Sequence, residues 1–457
     1  MNSMARDFRS HLEHLETRGK LCRVKKEVDI RFDIAAGIRK ASDTDGPALL
    51  FENIRGYPGW RVAGGVFGTK KLVALALGTE PEEEKLVRRY LEFDQKRIKP
   101  KLVSTGPVKD IVIKGADVDL NKLPIPTYSE LDCGPYLTAG IEIAKDPDTA
   151  TQNASIHRRL LLAKNRTSLL APIPHHLGLM IQAAEEKGKS LAVATVLGAP
   201  PELSIASQIN APAGVDEMEI AGGLRGSPLE VVKCETIDLE VPTDAEVVIE
   251  GVTIPGERVA DGPFAEVVGT YGVSWNPESL AFQTPVIKIT AITMRKDPIF
   301  QAMLTGMPMT ENHWIKKWAV AAAIHRELAS VVPDPDDIRA VNVTPGGAAT
   351  HHAVVAIHKR SEGTARDIIY TLLRSRLFLW HVKVVDEDIS VYDPFAVEWA
   401  VVSRAQIPKD LIVLTPDSNM PSIPIYTNRW GIDATKPLTH KDYYTVRIPG
   451  VGKVDYI

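Results

Sequence analysis

The chain has little cysteine, no long apolar run and no basic cluster, and each lack excludes something. Its three cysteines, Cys22, Cys133 and Cys234, are widely spaced and form no CxxC pair. A cysteine zinc site or a thioredoxin-like motif is therefore not expected. At 457 residues the chain is long enough to build its own cores without a disulfide framework. All three thiols read as buried or bystander groups. No apolar stretch approaches the ~20 residues that span a bilayer. The charged segment Met1–Lys20 lacks the apolar centre of a secretory signal. The cytoplasm is the expected location, with no membrane partner. A net charge of −4 without a basic run argues against a nucleic-acid partner. The HExxH arrangement of zinc hydrolases is also missing.

The residues present point to several domains, since 457 residues exceed the usual single core. Arg6 to Arg18 carries Phe8, Leu12 and Leu15 close to helical spacing. A strand-like run comes next over Leu21–Ile30, then a helix over Phe32–Ser42 and short strands over Ala48–Phe51 and Trp60–Val66. Pro81 to Arg97 reads as a helix whose first-turn acids, Glu82 to Glu84, suit its dipole. From Val108 to about Lys296 short β-rich runs, such as Ile111–Ile113, Glu246–Ile249 and Val286–Met294, suggest a barrel or sandwich. One helix, His176–Lys187, and one buried strand, Leu191–Leu197, interrupt that texture. The last third alternates again, with helices over Asn312–Ser330 and Gly363–Arg376. Strands are expected there at Ala353–Ile357, Val382–Val385 and Leu411–Leu414. The domain boundaries expected are 1–105, 106–300 and 301–457.

Four segments carry chemistry. In Asn153-Ala-Ser-Ile-His-Arg158 an amide oxygen able to ligate a hard cation lies close to a guanidinium suited to phosphate or carboxylate. Taken alone it also reads as a polar strand end. Pro172-Ile-Pro-His175-His176 places two histidines at a helix start, either solvated or as one metal ligand beside a pocket wall. In Asp216-Glu-Met-Glu-Ile-Ala-Gly-Gly-Leu-Arg-Gly226 the acids are surface charges or a Mg²⁺ or Mn²⁺ ligand ahead of a Gly-rich, Arg-containing turn. In Asp261-Gly-Pro-Phe-Ala-Glu266 a turn separates two carboxylates, which can push their pKa values apart; an exposed hairpin is the plainer reading.

In their order and spacing these segments resemble the UbiD family of decarboxylases, over about Leu120 to about Asp393. The N-x-S-[IV]-x-R motif stands as Asn153 to Arg158. Ala221-Gly-Gly-Leu-Arg-Gly, then Val231-Val-Lys-Cys-Glu and Asp238-Leu-Glu-Val-Pro, stand as the central signature. The acidic G-P-[FY] motif stands as Asp261 to Glu266. The resemblance implies a multidomain α/β (α+β) fold. It comprises an N-terminal α/β domain, a central split β-barrel like that of flavin reductases, and a C-terminal α/β domain used in assembly as a homodimer or homohexamer. It implies prenylated FMN, supplied by a separate flavin prenyltransferase and held through Mn²⁺ and K⁺ on its phosphate. The metal ligands would be Asn153, His176 and Glu217. Ile156, His157, Arg158, Leu170, Ala171, Pro172 and His175 would line the cofactor, and Arg374 falls near a family lysine that approaches it. The activity implied is reversible decarboxylation of an aromatic, heteroaromatic or α,β-unsaturated carboxylic acid. Glu266 would be the proton donor, with Arg158 and Asp261 completing the catalytic set. Many members carry Glu where this chain has Asp261, one methylene shorter. His175, Met307, Met309 and His313 are candidates for substrate selection. The alternatives are a metal-dependent hydrolase built on Asn153, His176 and Glu217, and a non-catalytic flavin-binding subunit of the same fold.

Overall fold

The computed structural model describes residues 6–93, 96–173, 175–209, 211, 214–271, 281–414, 429–439, 445–446 and 448–449. The chain divides into two compact units. One takes in most of the chain up to Ala323 together with Val343–His352. The other takes in Ile324–Asn342 and most of the chain from Ala353 onward.

The first unit opens on helices α1 (Phe8–Thr17), α2 (Asp33–Asp43), α3 (Lys70–Leu77) and α4 (Glu83–Phe93). Phe8, Leu12 and Leu15, the apolar stripe of α1, are all buried. These helices accompany a four-stranded sheet ordered Leu21–Val24, Ala48–Phe51, Arg61–Gly64 and Ile299–Ala302. The expected strand over Leu21–Ile30 is thus shorter, pairing only through Val24, with an isolated bridge at Val28 beyond it.

The second sheet of this unit positions the site. Its nine strands run in the order Tyr136–Leu137, Arg159–Ala163, Arg166–Ser168, Phe282–Met294, Val247–Asp261, Ala192–Leu197, Ile141–Lys145 and Gln152–Ile156, with Ile111–Lys114 also pairing on Phe282–Met294. Gln152–Ile156 ends one side, and Arg159–Ala163 is second from the other. Only His157 and Arg158 connect them. Three Cα steps reach at most about 11 Å, so the sheet must curl until its two sides nearly meet. The long strands Val247–Asp261 and Phe282–Met294 show register shifts at Glu250/Gly251 and between Thr253 and Arg258. Such bulges bend a strand and increase its twist. The curled half-barrel therefore carries His157 and Arg158 at its seam.

Four further helices are α5 (His176–Glu186), α6 (Pro201–Ala206), α7 (Glu217–Arg225) and α8 (Glu311–Leu328). Leu177, Met180, Ile181 and Ala184 are buried on one face of α5. The Gly-rich turn expected after Glu217 is a helix, α7. A Cβ at Gly222 would lie 2.4 Å from the Ile98 carbonyl oxygen, and one at Gly223 would lie 1.9 Å from that of Lys96. The two glycines let α7 press directly onto that backbone. Only Gly226, at φ +77°, ends the helix in the left-handed region. Of the two readings for the cysteines, bystander fits better than buried: all three are free, Cys22 and Cys133 exposed and Cys234 partly so.

The second unit holds a five-stranded sheet ordered Ile338–Val343, His352–Ile357, His381–Asp386, Arg429–Ala434 and Leu411–Leu414. Helices α9 (Thr364–Arg374) and α10 (Pro394–Arg404) belong to it. Val354, Ala356, Val385, Ile389, Val397 and Ala400 are among its core residues. No helix among the described residues is long and apolar enough to cross a membrane.

Candidate active site

Arg158 leaves the seam and meets both acids of the turn segment. Its Nε and Nη2 donate to Asp261 Oδ1 at 3.1 and 3.0 Å, and its Nη1 donates to Glu266 Oε1. Asp261 is the last residue of its strand, and Gly262 turns the chain at φ +138°, a conformation that favours glycine. The turn is anchored at several points. The Cys133 amide donates to Pro263 O at 2.9 Å, the Ala265 amide to Asp132 Oδ1 at 2.9 Å, and the Glu266 amide to Thr270 O at 2.8 Å. Asp261 has no exposed surface, yet it is fully partnered. Tyr136 donates its hydroxyl to Oδ1 at 3.1 Å, and Ser168 donates to Oδ2. The Arg158 guanidinium also lies 4.4 Å from the Phe264 ring centre and 5.4 Å from that of Phe282.

This surrounding sets the chemistry of Glu266. Burial raises its pKa above the usual carboxylate value, Arg158 pulls it down, and the charges of Asp261 and Asp132 push it up again. An acid so placed stays protonated to higher pH than an exposed glutamate, while a cation beside it stabilises the ionised form.

The second cluster lies along the strand Gln152–Ile156, against which α5 and α7 both pack. Glu217, the first residue of α7, is 3% exposed and accepts from the Asn153 amide at 3.2 Å and the Ala154 backbone N–H at 2.7 Å. All of its donors are neutral, and burial raises it to about 8. A carboxylate withdrawn from water with no cation beside it suits a bound metal ion. Asn153 Oδ1 accepts from Ser155, whose hydroxyl also meets His157 Nε2 at 3.0 Å; His157 Nδ1 in turn faces Leu170 O at 2.8 Å. The Leu170 amide donates to Arg158 O at 3.2 Å. His175 stands edge-on to His157, with ring centres 5.9 Å apart. His176 opens α5. That helix lies close over Ala171 and Pro172, where a Cβ at Gly178 would be 2.5 Å from Ala171 O. No group of three His, Cys, Asp or Glu able to hold a metal occurs among the described residues, and the set Asn153, His176, Glu217 contains only two of those types.

Asn153, Ile156, His157, Arg158, Leu170, Ala171, Pro172, His175 and His176 thus trace one short course along the sheet edge and into α5, and Glu217 joins them through Asn153. Arg374 is the last residue of α9 in the second unit, its guanidinium 6.0 Å from the Tyr370 ring centre. Met307 is exposed, whereas His313 is buried with Nε2 2.6 Å from Val267 O. Tyr136 and Ser168 were not visible as site residues in the sequence. They reach Asp261 through strand pairing, Tyr136 opposite Leu160 and Ser168 opposite Val286.

A multidomain α/β chain with a curled half-barrel sheet of this kind has its counterpart among known proteins. Residues 101–308 match the model of the 3-octaprenyl-4-hydroxybenzoate carboxy-lyase Rift-related domain. Residues 12–90 and 313–434 match the N-terminal and C-terminal domains of the same carboxy-lyase. The chain belongs to the UbiD family and is a carboxy-lyase. It is similar to the anhydromevalonate phosphate decarboxylase of Methanosarcina mazei, with 34% identity over 96% of this chain and 98% of that protein. Among solved structures it resembles an evolved dimeric form of the UbiD-class enzyme HmfF from Pelotomaculum thermopropionicum in complex with prFMN, at TM-score 0.87 and 38% identity over 99% of each chain. It also resembles the vanillic acid decarboxylase of Sedimentibacter hydroxybenzoicus, at TM-score 0.86 and 28% identity over 98% of this chain and 97% of that one.

Proposed function

We propose that the enzyme reversibly decarboxylates an aromatic, heteroaromatic or α,β-unsaturated carboxylic acid, with prenylated FMN as cofactor and Glu266 as proton donor. The observation that carries this reading is the Arg158 guanidinium shared between Asp261 and Glu266. Asn153, His176 and Glu217 would hold Mn²⁺ at the cofactor phosphate, an oxygen and imidazole set suited to that ion, with K⁺ beside it. Ile156, His157, Arg158, Leu170, Ala171, Pro172 and His175 would complete the cofactor contacts. When bound, the prenylated flavin supplies the electron sink for the bond that releases CO2.

The chain's own residues do the rest. Arg158 orients the substrate carboxylate by charge-assisted hydrogen bonds while Asp261, fixed by Tyr136 and Ser168, holds the guanidinium in place. Glu266 delivers a proton to the carbon that loses CO2 and takes one back in the reverse direction. Its raised pKa favours the first role, and Arg158 makes the second accessible. The Asp261 side chain loses no contact by being a methylene shorter than Glu, since both carboxylate oxygens have donors. We further propose assembly as a homodimer or homohexamer. The exposed apolar residues Phe395, Trp399 and Val402, spaced along one face of α10, support that reading.

Co-expression with a flavin prenyltransferase, then a screen of carboxylic acids, tests the function. A protein with the visible absorbance of a modified flavin that releases CO2 from at least one such acid is expected. A colourless protein that hydrolyses esters under the same conditions would overturn the reading.

A further inference from the structure

The turn that carries Glu266 is closed on itself. The Glu266 amide donates to Thr270 O at 2.8 Å, and the Gly269 amide donates to Glu266 O at 2.9 Å. Both main-chain polar groups of Glu266 are thus engaged within residues 266–270. That pairing gives the turn its shape but does not set its distance from Arg158. What sets the distance must come from outside the turn.

Residues 305–313, which lead into α8, lie behind it. Thr305 donates its hydroxyl to Ala265 O at 2.9 Å. A Cβ at Gly269 would lie 2.8 Å from Met307 Sδ and 3.4 Å from Met307 Cα, so the turn approaches this segment too closely for a side chain of its own there. His313 makes the third contact, its Nε2 2.6 Å from the carbonyl oxygen of Val267, the residue after Glu266. The start of α8 is itself anchored. Glu311 has no exposed surface and accepts the backbone amides of Phe67 and Leu304, each at 3.3 Å.

The ring proton of His313 follows from its neighbours. The Thr310 amide donates to Nδ1 at 3.1 Å, and an N–H can only donate. Nδ1 is therefore an acceptor, and the neutral ring carries its proton on Nε2, aimed at Val267 O. The Thr310 hydroxyl, 2.8 Å from Nδ1, can donate to it as well. Burial, offset in part by the Val267 contact, holds the ring at about 4, so this tautomer persists at any higher pH. His313 is 2% exposed and both its nitrogens are engaged by the chain, which leaves neither to recognise a substrate.

We infer that His313 is a positioning residue: it tethers the Glu266 turn to α8. Glu266 is then held at both ends, its carboxyl by Arg158 and its backbone by His313. The inference rests on the proposed role of Glu266 as proton donor.

Three variants test it. His313→Leu removes both contacts. In His313→Gln the side-chain amide can reach the place of Nε2 and donate to Val267 O. In His313→Asn it ends near the place of Nδ1, keeps an acceptor for Thr310 and falls short of Val267. Amide hydrogen exchange over residues 262–271 is read by mass spectrometry, and kcat and KM are read on the prenylated-FMN holoenzyme. His313→Leu should exchange faster over that turn and lose up to about a hundredfold in kcat, the cost of displacing a reacting group by about 1 Å. KM and flavin content should stay near wild type, because Asp261 still holds Arg158. His313→Gln should recover most of both losses and His313→Asn should not. If His313→Leu lowers overall stability, the comparison of Gln with Asn decides alone. Unchanged exchange in His313→Leu, a loosened turn with unchanged kcat, or equal behaviour of Gln and Asn would overturn the inference. So would a raised KM with kcat retained, which would place His313 on the substrate. Faster exchange in His313→Leu, in a protein whose wild type releases CO2 from no acid, would instead uphold the tether and overturn the decarboxylase reading.

Discussion

Glu217 and Glu266 are both withdrawn from water, and burial raises both, but their neighbours differ. Glu266 touches a guanidinium and is flanked by Asp261 and Asp132. Glu217 meets only an amide and a backbone N–H. A buried carboxylate beside a cation and further acids can change protonation state without leaving an uncompensated charge. One that has neutral donors alone is ionised at modest cost only when a cation arrives. The same residue type, fully buried as Glu217 and largely buried as Glu266, is thus suited to ion binding in one place and to proton handling in the other. Partners, more than burial, decide between these uses.

Breaking each half separately sharpens this contrast. Glu217→Ala has the larger expected effect, stoichiometric loss of metal and flavin together, read by metal analysis and visible absorbance of the purified protein. Full retention of both would remove Glu217 from the ligand set. Glu266→Gln should keep metal and flavin at wild-type content but lower turnover by about 10²–10⁴-fold, the usual worth of a positioned acid or base. It should also stop hydrogen/deuterium exchange at the substrate carbon. Normal exchange in that variant would show that the proton comes from elsewhere. If either substitution produced the other's phenotype, the division of labour between the two acids would fail.

The sequence made much of this arrangement legible, for identifiable reasons. Ala48–Phe51 and Leu411–Leu414 form strands where their apolar runs and flanking turn residues place them. His175 and His176 fall at the start of α5, as the helical spacing of Leu177, Met180, Ile181 and Ala184 requires. The features that escaped depend on contacts distant in sequence. Gly222 and Gly223 look like a turn because glycine weakens helices. Their helix forms because two backbone carbonyls, of Lys96 and Ile98, occupy the space where side chains would be. Tyr136 and Ser168 carry no local mark of a role; the strand order brings them to Asp261 from 125 and 93 residues away.

The subtlest effect concerns Asp261, which acts on Glu266 through charge. Its carboxylate pushes Glu266 up and competes with it for Arg158. Asp261→Asn removes that charge and leaves the guanidinium freer to pair with Glu266, so both consequences lower the Glu266 pKa. The amide oxygen can still accept from Arg158 and Tyr136, and the Ser168 hydroxyl can turn to accept from the new N–H, so the geometry is largely preserved. A proton donor works below its pKa and fails as pH rises through it. The alkaline limb of the turnover–pH profile should therefore move to lower pH in Asp261→Asn, with flavin content unchanged and only a modest loss of rate at acidic pH. Asp261→Glu, which restores the charge, should return the limb towards its wild-type position. A limb that stays in place or moves upward in Asp261→Asn would mean that Asp261 serves only to position Arg158, and that Asp132 and burial alone set the acidity of Glu266.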